Sequence, residues 1–582
     1  MKNLVQFIKL TVVFSVFCMF STSCEDIMGG YLDKPPGVDV TEDTIFSTRI
    51  NAETFLVGIY QDGMYMDLPE WSDRCGRRDG LFSAFCDEAE DGASWYQSHT
   101  YNNAGITVNT NRDEGRWTYR WKAIRSINII LDRIDDVPDA DQEYKNQVKG
   151  QALFIRGLCY FEMFKRYGGV PIVDFRFNLD DPEGLKVPRA TLEETVNFIV
   201  NDAEQAAALL PDRWSAQFTG KITKGAAMML KARTLLYAAS PLSNTASPPL
   251  SLPGDDNKLI CYGNTDLNRW KLAADAAKAV LDWASGAGVQ LLTGSDRAYE
   301  NTYVIPDNEE IILATKLVGR VQYWHDIYKC LDNFYITQSG TMITQNFVEK
   351  YEKKDGTPQT WNRNGGDNLA QLYSELDPRF DQSIRYNGCE WNNDFPIINM
   401  WEGAVPSNRP PLLDNKTGYW IRKWVPKEMN NTTNAYVYPN WHLYRLAEAY
   451  LIYAEAMNEY QGPVSEAYQA VNIIRNRVGM PDFPPGLTQE QFREKLRNER
   501  SIELAFEEHR LWDIMRWTIA EQEGVMQGNM WGIKIYKQPE PSTEFSYTYN
   551  VFEQRYWKAG MYHIPFYQNE VNKGYLIQNP GW

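Results

Sequence analysis

Three acidic side chains near residue 500 have a spacing that chemistry can use. Glu499, Glu503 and Glu507 are four residues apart, so a helix would place them on one face. A pair of carboxylates, one of which holds a proton at neutral pH, is what glycoside hydrolysis requires. The spacing therefore raises the hypothesis of a glycoside hydrolase.

The charges around these acids favour a structural role instead. Arg500 precedes Glu503 by three residues, and His509 precedes Asp513 by four. Those spacings bring opposite charges together along one helix, and charge networks between helices are commoner than catalytic pairs. We expect this segment to hold the fold together and not to catalyse a reaction.

Two other stretches combine flat aromatic rings with planar polar groups. The first runs from Trp71 to Asn103 and the second from Tyr323 to Tyr335. Sugar rings offer C–H faces that stack on aromatic planes and hydroxyls that bond to Arg, Asp and Asn. Any single aromatic is also a candidate for the core. The residues that we predict to stack on a ligand or to bond with it are Trp95, Tyr96, Trp324, Tyr335, Arg78, Asp79 and Asn102.

Other catalytic and metal-binding patterns are missing from the sequence. It has no GxSxG, P-loop or GxGxxG segment, and its five histidines are isolated. The cysteines after residue 24 form no CxxC pair, which argues against zinc and iron–sulfur sites. Cys75 and Cys86 are the one pair close in sequence, so a disulfide between them is left as an alternative. Most cysteines are expected to be small buried side chains. We predict no cofactor and no metal, although scattered carboxylates would permit calcium.

The charge of the chain narrows the choice of partner. The formal net charge is −17 at pH 7. Nucleic acid binding needs a basic surface, so we exclude it. Docking on anionic lipid by charge is disfavoured for the same reason.

Helical periodicity appears on both sides of a loop-rich middle. Residues 241–265 and 290–440 show no sustained period, which predicts long irregular loops and a few short strands. Short helix pairs with small residues at their crossings predict a mostly α fold, a tetratricopeptide-like helical-repeat scaffold. The predicted divisions of one continuous globular unit are 24–240, 241–440 and 441–582. The predicted helices are Gly115–Asp135, Tyr144–Tyr167, Thr191–Leu210, Lys221–Ser240, Leu267–Ala284, Trp441–Asn458, Ser465–Val478 and Thr488–Trp517.

The beginning of the chain is typical of an exported protein. Two lysines precede an apolar run over residues 10–20, and small residues then lead to Cys24. This is the pattern of a signal peptide, and the run is too short to cross about 30 Å of hydrocarbon. The cysteine resembles that of a bacterial lipoprotein box, which implies a signal over residues 1–23 and a lipid on Cys24. Glu25 and Asp26 resemble the acidic retention signal of surface lipoproteins in Bacteroidetes; an ordinary secretory signal is the alternative.

Five segments in order along the chain resemble conserved segments of the SusD/RagB family. They cover the chain from residue 167 to its last residue, and Asp87-Glu88 with the helix at Trp117 resembles the N-terminal part of that family. One departure is Glu508, where the family usually has glycine. The five segments are YGGVPIV at 167–173, AEAYLIYAEAMN at 447–458, NIIRNRVG at 472–479, ERSIELAFEEHRLWD at 499–513, and HIPF through QNPGW at 563–582.

This resemblance implies a surface-exposed lipoprotein of the outer membrane with a tetratricopeptide-like scaffold. It implies that the protein caps a SusC-like TonB-dependent transporter and holds a nutrient, usually an oligosaccharide, for import without chemistry of its own. In the family, the glycan site is an aromatic arc from N-terminal loops and a mid-chain segment, and the two aromatic stretches occupy similar places here. A peptide ligand on the same scaffold is the first alternative, and an exported glycoside hydrolase is the second.

Overall fold

The protein is built mainly from α-helices that pack in chain order. The computed structural model describes residues 41–64, 81–92, 96–110, 114–178, 180–315, 340–404, 415–428, 441–542 and 544–582. The helices, numbered in chain order, are α1 Glu42–Ile45, α2 Arg49–Gly63, α3 Gln97–Asn102, α4 Glu114–Arg133, α5 Gln142–Tyr167, α6 Leu192–Leu209, α7 Lys224–Ala239, α8 Asn268–Ala287, α9 Ala298–Val304, α10 Gln345–Val348, α11 Leu369–Glu375, α12 Pro378–Ser383, α13 Leu446–Gln461, α14 Ser465–Asn476, α15 Gln489–Glu503, α16 Arg510–Arg516 and α17 Gln568–Val571.

Helices α4 to α8 form the scaffold, each packing on the next along the chain, and α13 packs on α8. The predicted helices in this part are confirmed, with ends displaced by a few residues. Helix α5 is buried throughout its middle and ends at Gly168, whose φ of 81° is open to glycine. Helix α6 begins with the predicted capping box of Thr191 and Glu194. The mostly α, helical-repeat prediction is therefore confirmed.

Short strands pair in four antiparallel ladders of two strands each within the described residues. Two of the ladders tie the loop-rich middle to the ends of the chain: in chain order, the first strand pairs with the third and the second with the sixth. The fourth strand pairs with the fifth within the middle, and the seventh with the eighth within the C-terminal part. The strands are β1 Ala89–Asp91, β2 Ile311–Thr315, β3 Thr341–Ile343, β4 Ile384–Arg385, β5 Trp420–Ile421, β6 Trp441–Arg445, β7 Gly528–Lys537 and β8 Phe545–Arg555.

Two of the predicted helices are wrong in part. The helix predicted from Trp441 begins at Leu446, because residues 441–445 form β6 and pair with β2. The helix predicted over Thr488–Trp517 is two helices, α15 and α16. Between them Phe506 and Glu508 have φ values of 60° and 66°, a left-handed backbone that a helix cannot contain. Both errors come from contacts with distant parts of the chain, which local periodicity does not record.

The described cysteines agree with the prediction that most are small buried side chains. Cys86, Cys159, Cys261 and Cys389 are buried free thiols, and Cys75 lies outside the described residues. Among the described residues, no helix is both long and apolar enough to cross a bilayer. The signal segment and Cys24 also lie outside the described part, so the lipid anchor stays a prediction.

Candidate functional site

The β1–β3 ladder pairs part of the first predicted ligand-binding stretch with the strand that follows the second stretch along the chain. Asp91 of β1 is paired with Thr341 of β3, and beyond them the Gly92 amide donates to the Gly340 carbonyl at 3.0 Å. Along the sequence, Trp95 follows Gly92 by three residues and Tyr335 precedes Gly340 by five. The ladder therefore brings Gly92, within the first predicted stretch, next to Gly340, which follows the second stretch by five residues.

Buried ion pairs hold this junction in place. Arg510 of α16 donates from Nε and Nη2 to the two carboxylate oxygens of Asp87, at 2.8 and 2.7 Å. Arg555, at the end of β8, donates to Glu90 at 2.7 Å and to the Ala89 carbonyl at 2.9 Å. Breaking a buried pair leaves an uncompensated charge, which costs about 3–5 kcal/mol. The junction is therefore tied to the C-terminal part of the chain by strong, directional contacts.

The surface beside the junction carries aromatic and polar groups. His99 of α3 contacts Glu90, with Nδ1 2.9 Å from Oε1. Burial disfavours the charge of this imidazole, but the hydrogen bond and charge of Glu90 outweigh burial and raise its pKa. Tyr556 is 52% exposed, and its backbone amide donates to the Asn102 carbonyl at 2.8 Å. A ligand at this surface would meet an aromatic ring and a partly exposed imidazole.

Two of the seven predicted ligand residues are described, and both face the interior. Tyr96 is 2% exposed and Asn102 is 3% exposed. The Asn102 amide donates to the Ala84 carbonyl at 3.0 Å, which fixes α3 against the preceding turn. The remaining five lie outside the described residues: Arg78, Asp79, Trp95, Trp324 and Tyr335. Their role as ligand contacts stays a prediction.

The structure adds residues that the sequence analysis did not select. Tyr556 and Glu553 come to the junction because β8 ends there. The segment Gln554-Arg555-Tyr556-Trp557 mixes aromatic and planar polar groups, as the two predicted stretches do. That composition was a usable signal, but its length of four residues gave no reason to prefer it over other aromatic segments.

Three side chains at the junction have the chemistry to ligate a divalent cation. Donor atoms of Glu90, His99 and Glu553 all lie within 4.8 Å of one another. Arg555 donates to both carboxylates, at 2.7 Å in each case. Its guanidinium supplies the positive charge that a metal ion would bring, so the geometry favours a charge-balanced cluster that positions α3 and β8.

The acids near residue 500 lie in a separate, buried network. Glu503 accepts from Arg445 at 2.7 Å, from Arg379 at 3.0 Å and from Arg477. Burial disfavours its carboxylate, but these three guanidinium groups outweigh burial and lower its pKa to about 2. Glu507 pairs with Arg445 and Lys423. These acids are held ionised away from solvent, and none is poised to donate a proton.

The expected structural role of these acids is thus supported, but the predicted pairs within one helix are wrong. Arg500 donates to Asp513 at 2.8 Å and not to Glu503. The helix break at residues 504–509 brings Arg500 and Asp513 together and turns Glu507 toward Arg445 of β6. The network joins separate elements, so spacing along one helix could not reveal its partners.

Glu88 is an acid whose pKa is raised to about 8, mainly by burial. Such a carboxyl would be protonated at neutral pH, as a glycosidase acid must be. It directly precedes β1 with 1% exposure, and the Phe506 amide donates to it at 3.4 Å. A sugar at the surface has no access to this proton, so the described residues give little support to the hydrolase alternative.

Comparisons with known proteins place these features in a wider group. A model of the SusD family matches residues 326–582, and a model described as starch-binding and associating with the outer membrane matches residues 31–236. A curated SusD-like protein, P25 from Formosa agariphila, is 22% identical over 537 residues, covering 87% of this chain and 90% of its own length.

Solved structures give the same result for the fold. A SusD-like protein from Bacteroides fragilis superposes with a TM-score of 0.75 at 25% identity, covering 94% of this chain and all of its own. A laminarin-binding SusD-like protein superposes with a TM-score of 0.60 at 19% identity, covering 92% of this chain and all of its own. The tetratricopeptide-like helical scaffold is shared with both.

Proposed function

Because this chain belongs to the SusD/RagB family, we propose that it is a glycan-binding lipoprotein that captures oligosaccharide at the cell surface. It delivers this ligand to a SusC-like TonB-dependent transporter and breaks no bond in it. Support comes from the matched model, whose description names starch binding and the outer membrane, and from a neighbour described as binding laminarin. In this proposal Cys24 carries the lipid that anchors the protein to the outer membrane.

The observation that carries the proposal is the β1–β3 junction. It pairs residues 89–91, within the first aromatic stretch, with residues 341–343, which follow the second stretch along the chain, although some 250 residues separate Gly92 from Gly340 in the sequence. In the proposal, Trp95, Trp324 and Tyr335 supply stacking faces and Arg78 and Asp79 supply polar contacts. Tyr556 adds a ring at the edge of the site.

The two buried members of the predicted set have a different place in the proposal. Tyr96 and Asn102 would reach a ligand only if α3 moved, so in the described structure they support the surface from beneath. A shallow site built from a few rings buries little ligand area, and we expect modest affinity.

The test is affinity gel electrophoresis against a panel of polysaccharides. The parent protein is expected to be retarded by at least one of them, and Trp95→Ala, Trp324→Ala and Tyr556→Ala are each expected to weaken retardation about ten-fold, a loss of ~1.4 kcal/mol. Tyr536→Ala is the matched control: it is 40% exposed on the same β7–β8 hairpin, at the end away from Arg555. Unchanged retardation in the three site variants would reject the site.

The same samples separate the alternatives. Release of reducing sugar by the pure protein, lost on Glu88→Gln, would establish the hydrolase. No retardation by any polysaccharide, together with binding to a peptide mixture, would establish the peptide-binding alternative. Recovery of a large β-barrel transporter with the protein from detergent-solubilised outer membranes tests the delivery step, and its absence would reject that step alone.

A further inference from the structure

A second surface, whose lining includes no residue of the β1–β3 ladder, also has the character of a binding site. It is a groove of about 670 Å³ between α4, the segment 171–187 and the residues that follow α17. We call it the α4 groove. Its main lining side chains are Trp121, Arg125, Phe175, Phe177, Tyr575 and Glu42.

The floor and one wall of the α4 groove are aromatic. Trp117 and Trp121 pack edge to face at 5.3 Å, as do Phe175 and Phe177. Phe175 is 46% exposed, although it lies against other apolar side chains in the groove. A contiguous apolar surface of this kind on a folded protein marks a place where another molecule or segment packs.

The charges at the rim favour an acidic occupant. Lys573 is paired with Glu570 at 2.7 Å, and Arg176 is paired with Glu42 at 2.7 Å. Arg125, which is exposed in the groove, makes no ion pair or hydrogen bond with the described part of the chain. A carboxylate that entered beside the aromatic rings would therefore meet an available guanidinium, a strong and directional partner.

The chain itself supplies a segment with this chemistry at the edge of the groove. Glu42 lines the groove, and the residues just before it read Tyr31-Leu32-Asp33-Lys34-Pro35-Pro36-Gly37-Val38-Asp39-Val40. Proline-rich segments dock on aromatic-lined grooves because their extended conformation is already restricted before binding. Asp33 and Asp39 supply carboxylates for Arg125. We infer that residues 31–40 of this chain dock in the α4 groove.

Docking would set the distance between the folded body and its anchor. With a lipid on Cys24, as the proposed function holds, sixteen residues lie between the anchor and Thr41, and this segment reaches about 60 Å when extended. With residues 31–40 docked, six residues remain between Cys24 and Tyr31, a reach of about 25 Å. The docked segment thus holds the body close to the membrane surface and in one orientation.

Limited proteolysis of the detergent-solubilised mature protein tests this inference without any glycan. Chymotrypsin cuts after Tyr31 and Leu32, and mass spectrometry follows the new N-termini. Cleavage of a segment that opens and closes rapidly tracks the population of its open form. Phe175→Ser and Arg125→Glu are each expected to accelerate this cleavage about ten-fold, while Arg125→Lys is expected to keep the parent rate. Both positions are exposed, so neither change disturbs the core.

The matched control is Phe218→Ser, which removes a similarly exposed phenylalanine away from the groove. Equal cleavage rates in the parent, the control and the two groove variants would overturn the inference. An unchanged cleavage rate accompanied by lost polysaccharide retardation in Phe175→Ser would overturn it too, because the groove would then hold a glycan. Neither result bears on the stacking residues at the β1–β3 junction, which are tested separately.

Discussion

Replacing Glu503 by Gln tests whether the acids near residue 500 are structural. The carboxylate of Glu503 is fully buried and accepts from Arg445, Arg379 and Arg477. Its pKa is lowered from 4.5 to about 2, since these guanidinium groups outweigh the cost of burial. At 1.36 kcal/mol per pKa unit, this shift of about 2.5 units corresponds to about 3 kcal/mol of stability at neutral pH. We therefore expect Glu503→Gln to lower the free energy of unfolding by about 3 kcal/mol.

The loss should depend on pH in one direction. Because the folded state holds the lower pKa, the contribution of Glu503 is fully present above pH 4.5 and disappears as the pH falls toward 2. The difference in stability between parent and variant is therefore expected to be constant from pH 8 to about pH 5. This difference is expected to become smaller at lower pH. Urea unfolding, followed by tryptophan fluorescence at several pH values, measures the free energy of unfolding of the parent and the variant.

The matched control is Glu204→Gln. Glu204 also pairs with a cation, Lys231 at 2.6 Å, but this pair lies on the surface. Exposed pairs contribute about 0–1 kcal/mol, so the control should unfold almost as the parent does. If Glu503→Gln were as stable as the control, the buried network would not support the fold as argued. If the variant lost a hydrolytic activity that the parent had, the structural role itself would be wrong.

Two further predictions concern the backbone and the junction. A Cβ on Gly169 would lie 2.1 Å from the Ala190 carbonyl oxygen, so Gly169→Ala should sharply lower the melting temperature, and a melting temperature equal to that of the parent would refute this. Gly286 in α8 has open space around it, so Gly286→Ala should raise stability by up to about 1 kcal/mol. The raised pKa of His99 beside Glu90 means that its charge stabilises the fold below pH 6.5 and that this contribution is lost as the pH rises through the raised value. Thermal unfolding of His99→Gln should thus differ most from the parent below pH 6.5, and a difference that grows with pH would contradict the pairing.

The helices of the scaffold were predictable because their signals are local. Helix α6 carries its own capping box at Thr191 and Glu194, and α5 ends where two glycines follow an apolar run. Such signals lie within a few residues of the helix end that they determine. A reader of the sequence therefore has all the information needed to place these elements within a few residues.

The elements that sequence analysis misplaced are determined by distant partners. Residues 441–445 have enough apolar character for a helix, but they pair with β2, more than a hundred residues earlier. The break after Glu503 allows Glu507 to meet Arg445 and Lys423, a gain that exceeds the helical propensity of the segment. Periodicity reports which side chains are buried, but it cannot tell which buried charge they will meet.

The candidate site combines both situations. Its aromatic residues stand out by composition, yet the three-residue strands β1 and β3, one within the first aromatic stretch and one just after the second, are too short for any pattern to reveal. What fixes the junction is Arg510 on Asp87 and Arg555 on Glu90, contacts from the C-terminal part of the chain to its N-terminal part. Arg510 lies in the ER…HR…D segment that resembles the family, and it pairs with the buried Asp87 next to β1. This motif residue therefore acts by position: it ties the C-terminal helix α16 to the beginning of the β1–β3 ladder, two parts of the chain that are more than 400 residues apart in the sequence.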